Sequence, residues 1–380
     1  MHRYGVCDIK KRKRARMANA GNGVFALLFL EIAGNRAMGD TSALHAAQRL
    51  KKDEFYTQRV DIENELRHYK AHFRDRVVLC NCDDPCESEF FKYFAENFEY
   101  LGLKRLIATC YKSQERDLFS QGDSERAICQ IYEGDKNGNM TVDDDEIGVR
   151  VLKGDGDFRS AECVEILKQA DIVVTNPPFS LFREYVSQLF KYDKKFLIIG
   201  NVNAITYKEF FPMIRDNKVW MGASIHSGDR KFCVPDDYPL NAAGCGVDKN
   251  GKKFIRVKGV RWWTNLDYPH RHETLPLYKK YTSEEFPKYL NYDAIEVAKT
   301  SDIPYDYEGE MGVPITFMDK YCPEQFEIVG QSLTLADMQN VKNLLGASGG
   351  GPRFYVEKDG KPTRLYDRIV IRHRKSGAAK

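Results

Sequence analysis

Short apolar runs alternate with amphipathic segments through the middle of the chain. The runs include "RVVLCNC" at 76–82, "KRLIATCY" at 104–111, "DIVVTN" at 171–176 and "KKFLIIGN" at 194–201. The segments between them, such as "SAECVEILKQA", carry apolar residues at helical spacing. Regular succession of strand and helix is typical of a parallel sheet with helices on both faces. The pattern therefore predicts a doubly wound α/β fold, whose sites lie at the carboxyl ends of the strands.

Beyond Ser224 this alternation gives way to hairpin-like segments that mix aromatic and basic residues. The clearest is "KKFIRVKGVRWWTNLDYP" at 252–269, and near the end of the chain Asp359-Gly360 supplies a turn between two β-rich runs. We therefore expect three parts: an N-terminal extension at 1–45, a larger α/β domain at 46–270 and an irregular region at 271–380.

The composition is that of an ordinary globular protein. The 380 residues are 42% hydrophobic and 30% charged, and the formal net charge of +3 does not by itself announce a polyanionic partner. The 10 cysteines follow no regular disulfide framework, which favours reduced thiols and a cytoplasmic location.

The N-terminus imitates a secretory signal, because a basic stretch precedes the apolar run "GVFALLFL". Glu31 closes that run, which is too short to span a bilayer. We expect no membrane association, and the alternative is a basic tail that contacts nucleic acid.

The stretch "NPPF" at 176–179 directly follows the predicted strand "DIVVT". An exocyclic amine on a planar ring is a poor nucleophile, because its lone pair is delocalised into the ring. The side-chain oxygen of Asn176 and the carbonyl oxygen of Pro177 can accept both amine hydrogens and draw the nitrogen toward a tetrahedral, nucleophilic form. The motif is thus suited to chemistry on such an amine.

The other residues of "NPPF" fit the same use. Pro177 and Pro178 restrict the backbone and so hold the acceptors in place. Phe179 offers a flat face for stacking, worth roughly 1–3 kcal/mol per base, and a base presented in this way must leave the duplex. The alternative is a rigid strand-to-helix turn with a buried phenylalanine.

Two further stretches resemble metal sites. "DKNGNMTVDDDE" at 135–146 places oxygen ligands at EF-hand positions, but Met140 replaces the required glycine and strand-like runs flank it, so we expect an acidic hairpin loop without calcium. Cys80, Cys82 and Cys86 lack a second ligand pair at zinc-finger spacing. Since Cys80 and Cys82 would share one face of a strand, we favour packing roles and expect no metal.

The string "KKFIRVKGVRWWTNLDYPHRHE" at 252–273 interleaves basic and aromatic residues as nucleic-acid surfaces do. Lys258, Arg261 and Arg271 are candidate phosphate contacts. The alternative is a solvated strand with one of Trp262 and Trp263 in the core.

Several strings, in order from about Lys51 to the C-terminus, resemble the EcoRI-type adenine-specific DNA methyltransferase family. They are "DEFYTQ", "VVLCNCDDPCESEFFKYFAENFEYLGLKRLIATCY", "GDGDF", "DIVVTNPPFSLFREY", "FLIIGNVNAITYKE", "GVRWWTNLDY", "NYDAIEV", "MGVPITFMDKYCPEQFEIVG" and "YDRIVIR". The resemblance implies a Rossmann-like methyltransferase sheet that binds S-adenosylmethionine, followed by a DNA-recognition region at 271–380.

The resemblance also implies roles for individual residues. The catalytic tetrad would be Asn176, Pro177, Pro178 and Phe179. The implied cofactor contacts are Phe55, Tyr56 and Thr57 beside the methionine part, Asp83, Asp84 and Pro85 in the loop after the first strand, and Asp157 with Phe158 on the adenine.

The chain departs from the wider superfamily at two places. "CESEFF" follows Asp84-Pro85 where a glycine-rich turn is usual, so the cofactor loop must differ. The usual acidic residue at the end of the second strand is also missing, since "LIATCYK" offers only Thr109, Cys110 and Tyr111 there.

We interpret the chain as a site-specific DNA methyltransferase that transfers a methyl group from S-adenosylmethionine to the N6 amine of a flipped adenine in duplex DNA. We expect a monomeric enzyme that belongs to a restriction-modification system. Any cognate endonuclease is expected to act without direct contact with it. The alternatives are methylation of an RNA base or a protein glutamine, and a DNA-binding relative without activity.

Overall fold

The computed structural model describes residues 56–85, 88–111, 127–234, 240, 244–249, 251–340 and 351–374. Within these ranges the chain forms eighteen β-strands, grouped in four sheets, and eight α-helices. The predicted extension at 1–45 and Phe55 lie outside the described residues. The predicted boundary at 270/271 stays a prediction.

An eight-stranded mixed sheet forms the centre of the α/β part. Its strands, in spatial order, are β5 (Ile147–Val151), β4 (Ile128–Tyr132), β3 (Arg105–Thr109), β2 (Val77–Cys80), β6 (Ile172–Thr175), β7 (Lys195–Asn201), β12 (Val260–Thr264) and β8 (Trp220–Met221). The neighbours β3, β2, β6 and β7 are parallel, as predicted from the alternation. The two strands at each edge are antiparallel to their neighbours, so the expectation of a wholly parallel sheet is wrong at the edges.

The four parallel strands are apolar on both faces because helices cover both faces. One face carries α1 (Arg59–Leu66), α2 (Lys70–Phe73), α3 (Glu89–Glu96) and α4 (Phe98–Leu101). The other face carries α5 (Ala161–Gln169), α6 (Phe182–Lys191) and α7 (Phe211–Arg215). Within β2, Val77 and Leu79 point to the second face and Val78 and Cys80 to the first, as the period of two requires.

Local signals set the ends of several helices. The Ser88 hydroxyl accepts from the backbone of Phe90 at the start of α3, and the Ser160 hydroxyl accepts from Cys163 at the start of α5. Gly102 ends α4 in the left-handed conformation at φ 65°.

A second sheet of four antiparallel strands lies against the α1–α4 side of the core. It contains β1 (Tyr56–Thr57), β9 (Asp229–Cys233), β11 (Lys253–Lys258) and β10 (Gly246–Val247). We call it the small sheet. The string "DEFYTQ" at 53–58 thus contains a strand, which pairs with β9 from about 175 residues later in the chain.

The C-terminal part contains a further sheet and a separate hairpin. The sheet is formed by β13 (Ile295–Glu296), β14 (Met311–Pro314), β18 (Arg368–His373) and β15 (Phe326–Gln331), with α8 (Ser332–Leu335) directly after β15. The hairpin pairs β16 (Tyr355–Lys358) with β17 (Lys361–Arg364) through Asp359 and Gly360, whose φ angles of 51° and 70° confirm the predicted turn. The hydrophobic core runs from the central sheet into this part through residues such as Phe317, Phe326 and Ile371.

Short 3-10 turns connect many of these elements. They lie at Asp144–Glu146, Phe179–Leu181, Val202–Thr206, Pro269–His272, Thr300–Asp302 and Ile315–Lys320.

The stretch at 135–146 is the predicted hairpin loop, placed between the antiparallel strands β4 and β5. The Asp135 carboxylate accepts from the backbone N–H groups of Gly138 and Met140, and Met140 has a positive φ of 61°. The Asp143 carboxylate accepts from two asparagine side chains of the same loop. In the described ranges no three His, Cys, Asp or Glu side chains converge as a metal site.

The prediction for Cys80 and Cys82 was wrong in one respect. Strand β2 ends at Cys80, so Cys82 lies beyond the regular alternation and packs on the opposite side of the sheet from Cys80. Both tryptophans of β12 are fully buried, whereas only one was expected in the core, because β12 is covered on both faces.

None of the helices among the described residues is long and apolar enough to cross a membrane.

Candidate active site

The "NPPF" stretch begins directly at the carboxyl end of β6. Asn176 follows Thr175, the last residue of the strand, and is 6% exposed. Pro178 adopts φ −54° and ψ 124°, and the chain then enters a 3-10 turn at Phe179 and helix α6 at Phe182. The predicted order of a strand, the "NPPF" stretch and a helix is confirmed.

The loop that follows β2 lies beside this stretch, because β2 and β6 are adjacent parallel strands with Leu79 paired to Val173. Asn81 and Asp83 in this loop are buried at 6% and 7% exposure. The Ser88 hydroxyl donates to the Asp83 carboxylate at 3.4 Å, and the Ser88 backbone N–H donates to the carbonyl of Asp84 at 2.7 Å. Ser88 thus caps α3 and also closes the loop after β2. This is the loop in which a glycine-rich turn was expected from the wider superfamily.

Tyr185 of α6 joins the loop after β2 to the rest of the site. Its side chain is fully buried, and its hydroxyl donates to the side-chain oxygen of Asn81. Burial raises the pKa of Tyr185 well above its usual value, so the hydroxyl stays a donor. The same loop lies beside the end of β6, since β2 and β6 are adjacent parallel strands. The Thr175 hydroxyl at that strand end is buried and has no hydrogen-bond partner in the described part of the chain.

The "GDGDF" stretch packs against the carboxyl end of β3. Gly156 has a φ of +78°, and an added Cβ there would overlap the carbonyl oxygen of Cys110, directly after β3. Only glycine allows this approach. Phe158 is 6% exposed, and its ring meets the edge of Tyr185 with centroids 5.0 Å apart.

Asp157 is engaged within the protein. Its carboxylate accepts from the backbone and the Nε of Arg159 at 2.8 and 2.9 Å. The hydrogen bonds from the Arg159 side chain lower the pKa of Asp157, which keeps the carboxylate ionised. Any contact from Asp157 to a cofactor would therefore be made by a group that Arg159 already orients.

The small sheet brings Thr57 to the same region. Thr57 pairs with Phe232 of β9, and Phe232 meets the ring of Phe179 edge-on with centroids 6.5 Å apart. The Thr57 hydroxyl oxygen is buried and has no hydrogen-bond partner in the described part of the chain. Tyr56 pairs with Cys233 and so lies on the opposite face of the small sheet from Thr57.

Contacts therefore connect most of the residues proposed for the site. Phe158 touches Tyr185, which bonds to Asn81, and the loop of Asn81 follows β2, the parallel neighbour of the strand that ends before Asn176. Phe179 then reaches Thr57 through Phe232. The carboxyl ends of β3, β2 and β6 thus supply one continuous arrangement.

The predicted phosphate contacts lie elsewhere and divide into two groups. Lys258 is exposed at the end of β11. Arg261 and Arg271 are 4% and 7% exposed. Arg261 is paired with Asp319 at 2.7 Å, while Arg271 is paired with Asp267 at 3.2 Å and covers the ring of Trp220. The prediction is therefore corrected for these two arginines. Arg261 would have to leave the buried carboxylate of Asp319 to reach a phosphate, and the Arg271 side chain is itself buried against Trp220.

Sequence reasoning missed Asn81, Tyr185 and Phe232. Tyr185 occupies an apolar position of an amphipathic helix and reads as an ordinary core residue, and Phe232 meets Phe179 only through a long-range contact. Asn81 offered a usable signal, because a polar side chain directly after a buried strand marks the carboxyl edge of the sheet.

A buried carboxylate braces the loop that precedes the small sheet. Glu65 of α1 is fully buried and accepts from the backbone N–H groups of Ala223 and Ser224 at 2.7 Å each, and from the hydroxyl of Tyr69 at 2.8 Å. Burial raises the pKa of the Glu65 carboxyl. This group was not singled out from the sequence, where it looks like one more charge on a helix.

Comparison with known proteins gives a family match over most of the chain. The family model described as "Adenine-specific methyltransferase EcoRI" matches residues 43–374. The chain is 55% identical over 288 residues to type II methyltransferase M.EcoRI of Escherichia coli, covering 75% of this chain and 88% of that protein.

Two mycoplasma proteins are also similar. Type II methyltransferase M.MgeORF184P of Mycoplasma genitalium is 39% identical over 287 residues, covering 74% of this chain and 84% of that protein. Type II methyltransferase M.MpnI of Mycoplasma pneumoniae is 34% identical over 338 residues, covering 87% and 98% respectively. No solved structure matches significantly.

Proposed function

Because this chain belongs to the EcoRI family of adenine-specific methyltransferases and is a site-specific DNA adenine methyltransferase, we propose that it methylates the N6 amine of an adenine flipped out of duplex DNA. The observation that carries this proposal is the position of Asn176, directly at the carboxyl end of β6 and beside the loop after β2. Ligands bind at that edge in sheets of this kind, and we infer a Rossmann-like methyltransferase arrangement from it.

Asn176 and Pro177 would act on the target amine. Their oxygens accept its two hydrogens, which localises the nitrogen lone pair for attack. The acceptors need little reorganisation, because Pro178 and the following 3-10 turn hold the backbone rigid. The flipped base would stack on Phe179, whose ring is itself supported by Phe232. After methylation the amine is more acidic and loses a proton.

The residues near this edge fit S-adenosylmethionine as the methyl donor. The partnerless buried hydroxyl of Thr57 is a polar atom that a ligand would satisfy, and Asp83 and Phe158 are buried in loops near the carboxyl ends of β2 and β3. These three residues, with Asp84 and Pro85, would hold the cofactor, and Asp157 would contribute through the carboxylate that Arg159 orients. The bound cofactor supplies an electrophilic methyl group for direct displacement.

The departure in the loop after β2 is compatible with this use. The bond from Ser88 to Asp83 closes the loop that lacks a glycine-rich turn. Phe55 and Tyr56 remain proposed contacts, although Tyr56 lies on the far face of β1 from Thr57.

The substrate would be duplex DNA, recognised mainly by residues 271–380. We propose that the protein acts as a monomer and that a cognate endonuclease, if its system has one, works without direct contact.

The test is transfer of radiolabelled methyl from S-adenosylmethionine to unmethylated duplex DNA, followed by digestion to nucleosides. Label in N6-methyladenine is expected, and Asn176→Ala should abolish it while keeping most of the cofactor affinity. Asn139→Ala, in the exposed β4–β5 loop, is the matched control and should retain activity. Full turnover by Asn176→Ala would refute the assigned mechanism.

The alternatives give different results in the same assay. Label on RNA or protein but not on DNA would indicate another amine or amide substrate. Absence of cofactor binding would indicate an inactive DNA-binding relative.

A further inference from the structure

The small sheet has one buried face and one open face. Phe232, Ile255 and Val257 on the buried face are at most 5% exposed and belong to the core. Lys231, Arg256 and Lys258 alternate with them and point the other way. The Lys231 and Arg256 side chains are 35% and 55% exposed.

Two cations of the open face lie directly opposite each other. Arg256 of β11 is the cross-strand partner of Lys231 of β9. Like charges in this position destabilise a sheet. Asp229 lies 3.7 Å from Arg256, and Asp248 lies 3.7 Å from Lys231. Because these distances are at the long end for ion pairs, the two carboxylates offset only part of the repulsion between the cations. An arrangement that costs stability in the free protein is expected where a ligand of opposite charge binds.

Aromatic surface is interleaved with these cations. Phe254 precedes Arg256 by two residues on the same face, and the Lys231 ammonium lies 4.2 Å from the centre of its ring. The adjoining β10–β11 turn adds the exposed residues Lys249 and Lys252. Basic and aromatic residues interleaved on one face are typical of nucleic-acid surfaces.

The open face adjoins the edge of the central sheet that carries "NPPF". Lys258 ends β11, and its carbonyl accepts from the side chain of Asn201 at 3.1 Å. Asn201 is the last residue of β7, which runs parallel to β6 and ends at the same edge. DNA whose target base enters at Asn176 would therefore have backbone within reach of this face.

We propose that the open face of the small sheet binds the phosphate backbone of duplex DNA beside the base pocket, through Lys231, Arg256 and Lys258. This inference rests on the proposed function and extends DNA contact to residues before 270, outside the region assigned to recognition. Phosphates would relieve the repulsion between Lys231 and Arg256.

The test uses the full chain carrying Lys231→Gln, Arg256→Gln and Lys258→Gln together. The probe is a fluorescein-labelled duplex of arbitrary sequence, because phosphate contacts are independent of sequence. Anisotropy titrations between 50 and 200 mM salt give the slope of log affinity against log salt. Each lost phosphate contact should reduce the magnitude of the slope by about 0.9, and affinity at 0.15 M salt by roughly 5-fold. The melting temperature should not fall, since a repulsive pair is removed.

The matched control carries Lys168→Gln, Lys191→Gln and Lys195→Gln. These exposed residues lie at the ends of α5 and α6 and at the start of β7, at the opposite edge of the central sheet. Both triple variants lose three positive charges, so an equal loss of DNA affinity in the two variants would overturn the proposal. An unchanged slope and affinity in the first triple variant would also overturn it.

The methylation assay separates this proposal from the proposed function. A wild-type protein that methylates DNA, with binding unaltered in the first triple variant, would refute the surface alone. A wild-type protein that methylates no DNA, with the predicted change in slope, would refute the function and leave the surface standing.

Discussion

The guanidinium group of Arg261 forms a two-pronged ion pair with the carboxylate of Asp319, with Nε–Oδ1 and Nη2–Oδ2 distances of 2.7 and 3.0 Å. Both side chains are at most 7% exposed. Arg261 lies on β12 of the central sheet and Asp319 in the 3-10 turn at Ile315–Lys320, so the pair fastens the C-terminal part to the α/β part.

Removing one partner of this pair should strongly destabilise the protein. Asp319→Ala leaves a buried, unpaired guanidinium and is expected to lower the free energy of unfolding by about 3–5 kcal/mol, measured by urea titration. Removing both charges together, as in the double variant Arg261→Met with Asp319→Leu, should lower the free energy of unfolding by much less.

The control for that prediction is Asp293→Ala. It breaks the ion pair between Lys288 and Asp293, whose side chains are 65% and 93% exposed. The free energy of unfolding should therefore fall by at most about 1 kcal/mol. Equal losses in Asp319→Ala and Asp293→Ala would show that burial of the first pair has no energetic consequence.

Tyr185→Phe should weaken cofactor binding without touching the proposed catalytic residues. The change removes the donor to Asn81, and leaving a buried acceptor unsatisfied costs about 1–3 kcal/mol. Because Asn81 lies in the loop that includes Asp83, part of this cost should appear as a higher Kd for S-adenosylmethionine, measured by calorimetry.

Tyr292→Phe is the matched variant for that experiment. It removes a hydroxyl that donates to Glu310 at 2.6 Å in the C-terminal part. We expect lower stability with an unchanged cofactor Kd. If Tyr185→Phe also leaves the Kd unchanged, Tyr185 has only a structural role.

The two glycines of "GDGDF" should respond differently to alanine. Gly156→Ala adds a Cβ that overlaps the carbonyl of Cys110 at a positive φ, and the combined strain should cost about 2–5 kcal/mol. Gly154 has open space around it and an ordinary φ, so Gly154→Ala should change stability by less than about 0.5 kcal/mol. Thermal melts of the two variants check this, and similar melting temperatures would contradict the close approach to β3.

His272 should make stability depend on pH. Its ring nitrogens lie 2.8 Å from the carboxylates of Asp267 and Glu324, and hydrogen bonds to these two groups raise its pKa. A group whose pKa is raised on folding contributes stability that is complete below its unfolded pKa, about 6.5, and is lost as the pH rises through the folded pKa. The difference in melting temperature between wild type and His272→Gln should therefore shrink from pH 6 to pH 9. A difference that is constant over this range would exclude protonation as its source.

Local sequence patterns were enough to predict the strands and helices of the central sheet and the position of "NPPF". Periods of two and of 3.6 residues are local properties, so the parallel strands, the helices between them and the turn at Asp359-Gly360 could be predicted from short windows. "NPPF" was likewise placed at a strand end because "DIVVT" precedes it directly.

Short windows of sequence do not show which distant segments meet or which charged side chains stay exposed to solvent. The pairing of Thr57 with Phe232, the bond from Tyr185 to Asn81 and the antiparallel edges of the central sheet depend on contacts between residues far apart in sequence. Arg261 and Lys258 lie three residues apart in one basic string, yet one is buried against Asp319 and the other is exposed. The charge of a side chain can be read from the sequence, whereas its exposure depends on how the chain packs. A phosphate contact requires a side chain that is both positively charged and exposed.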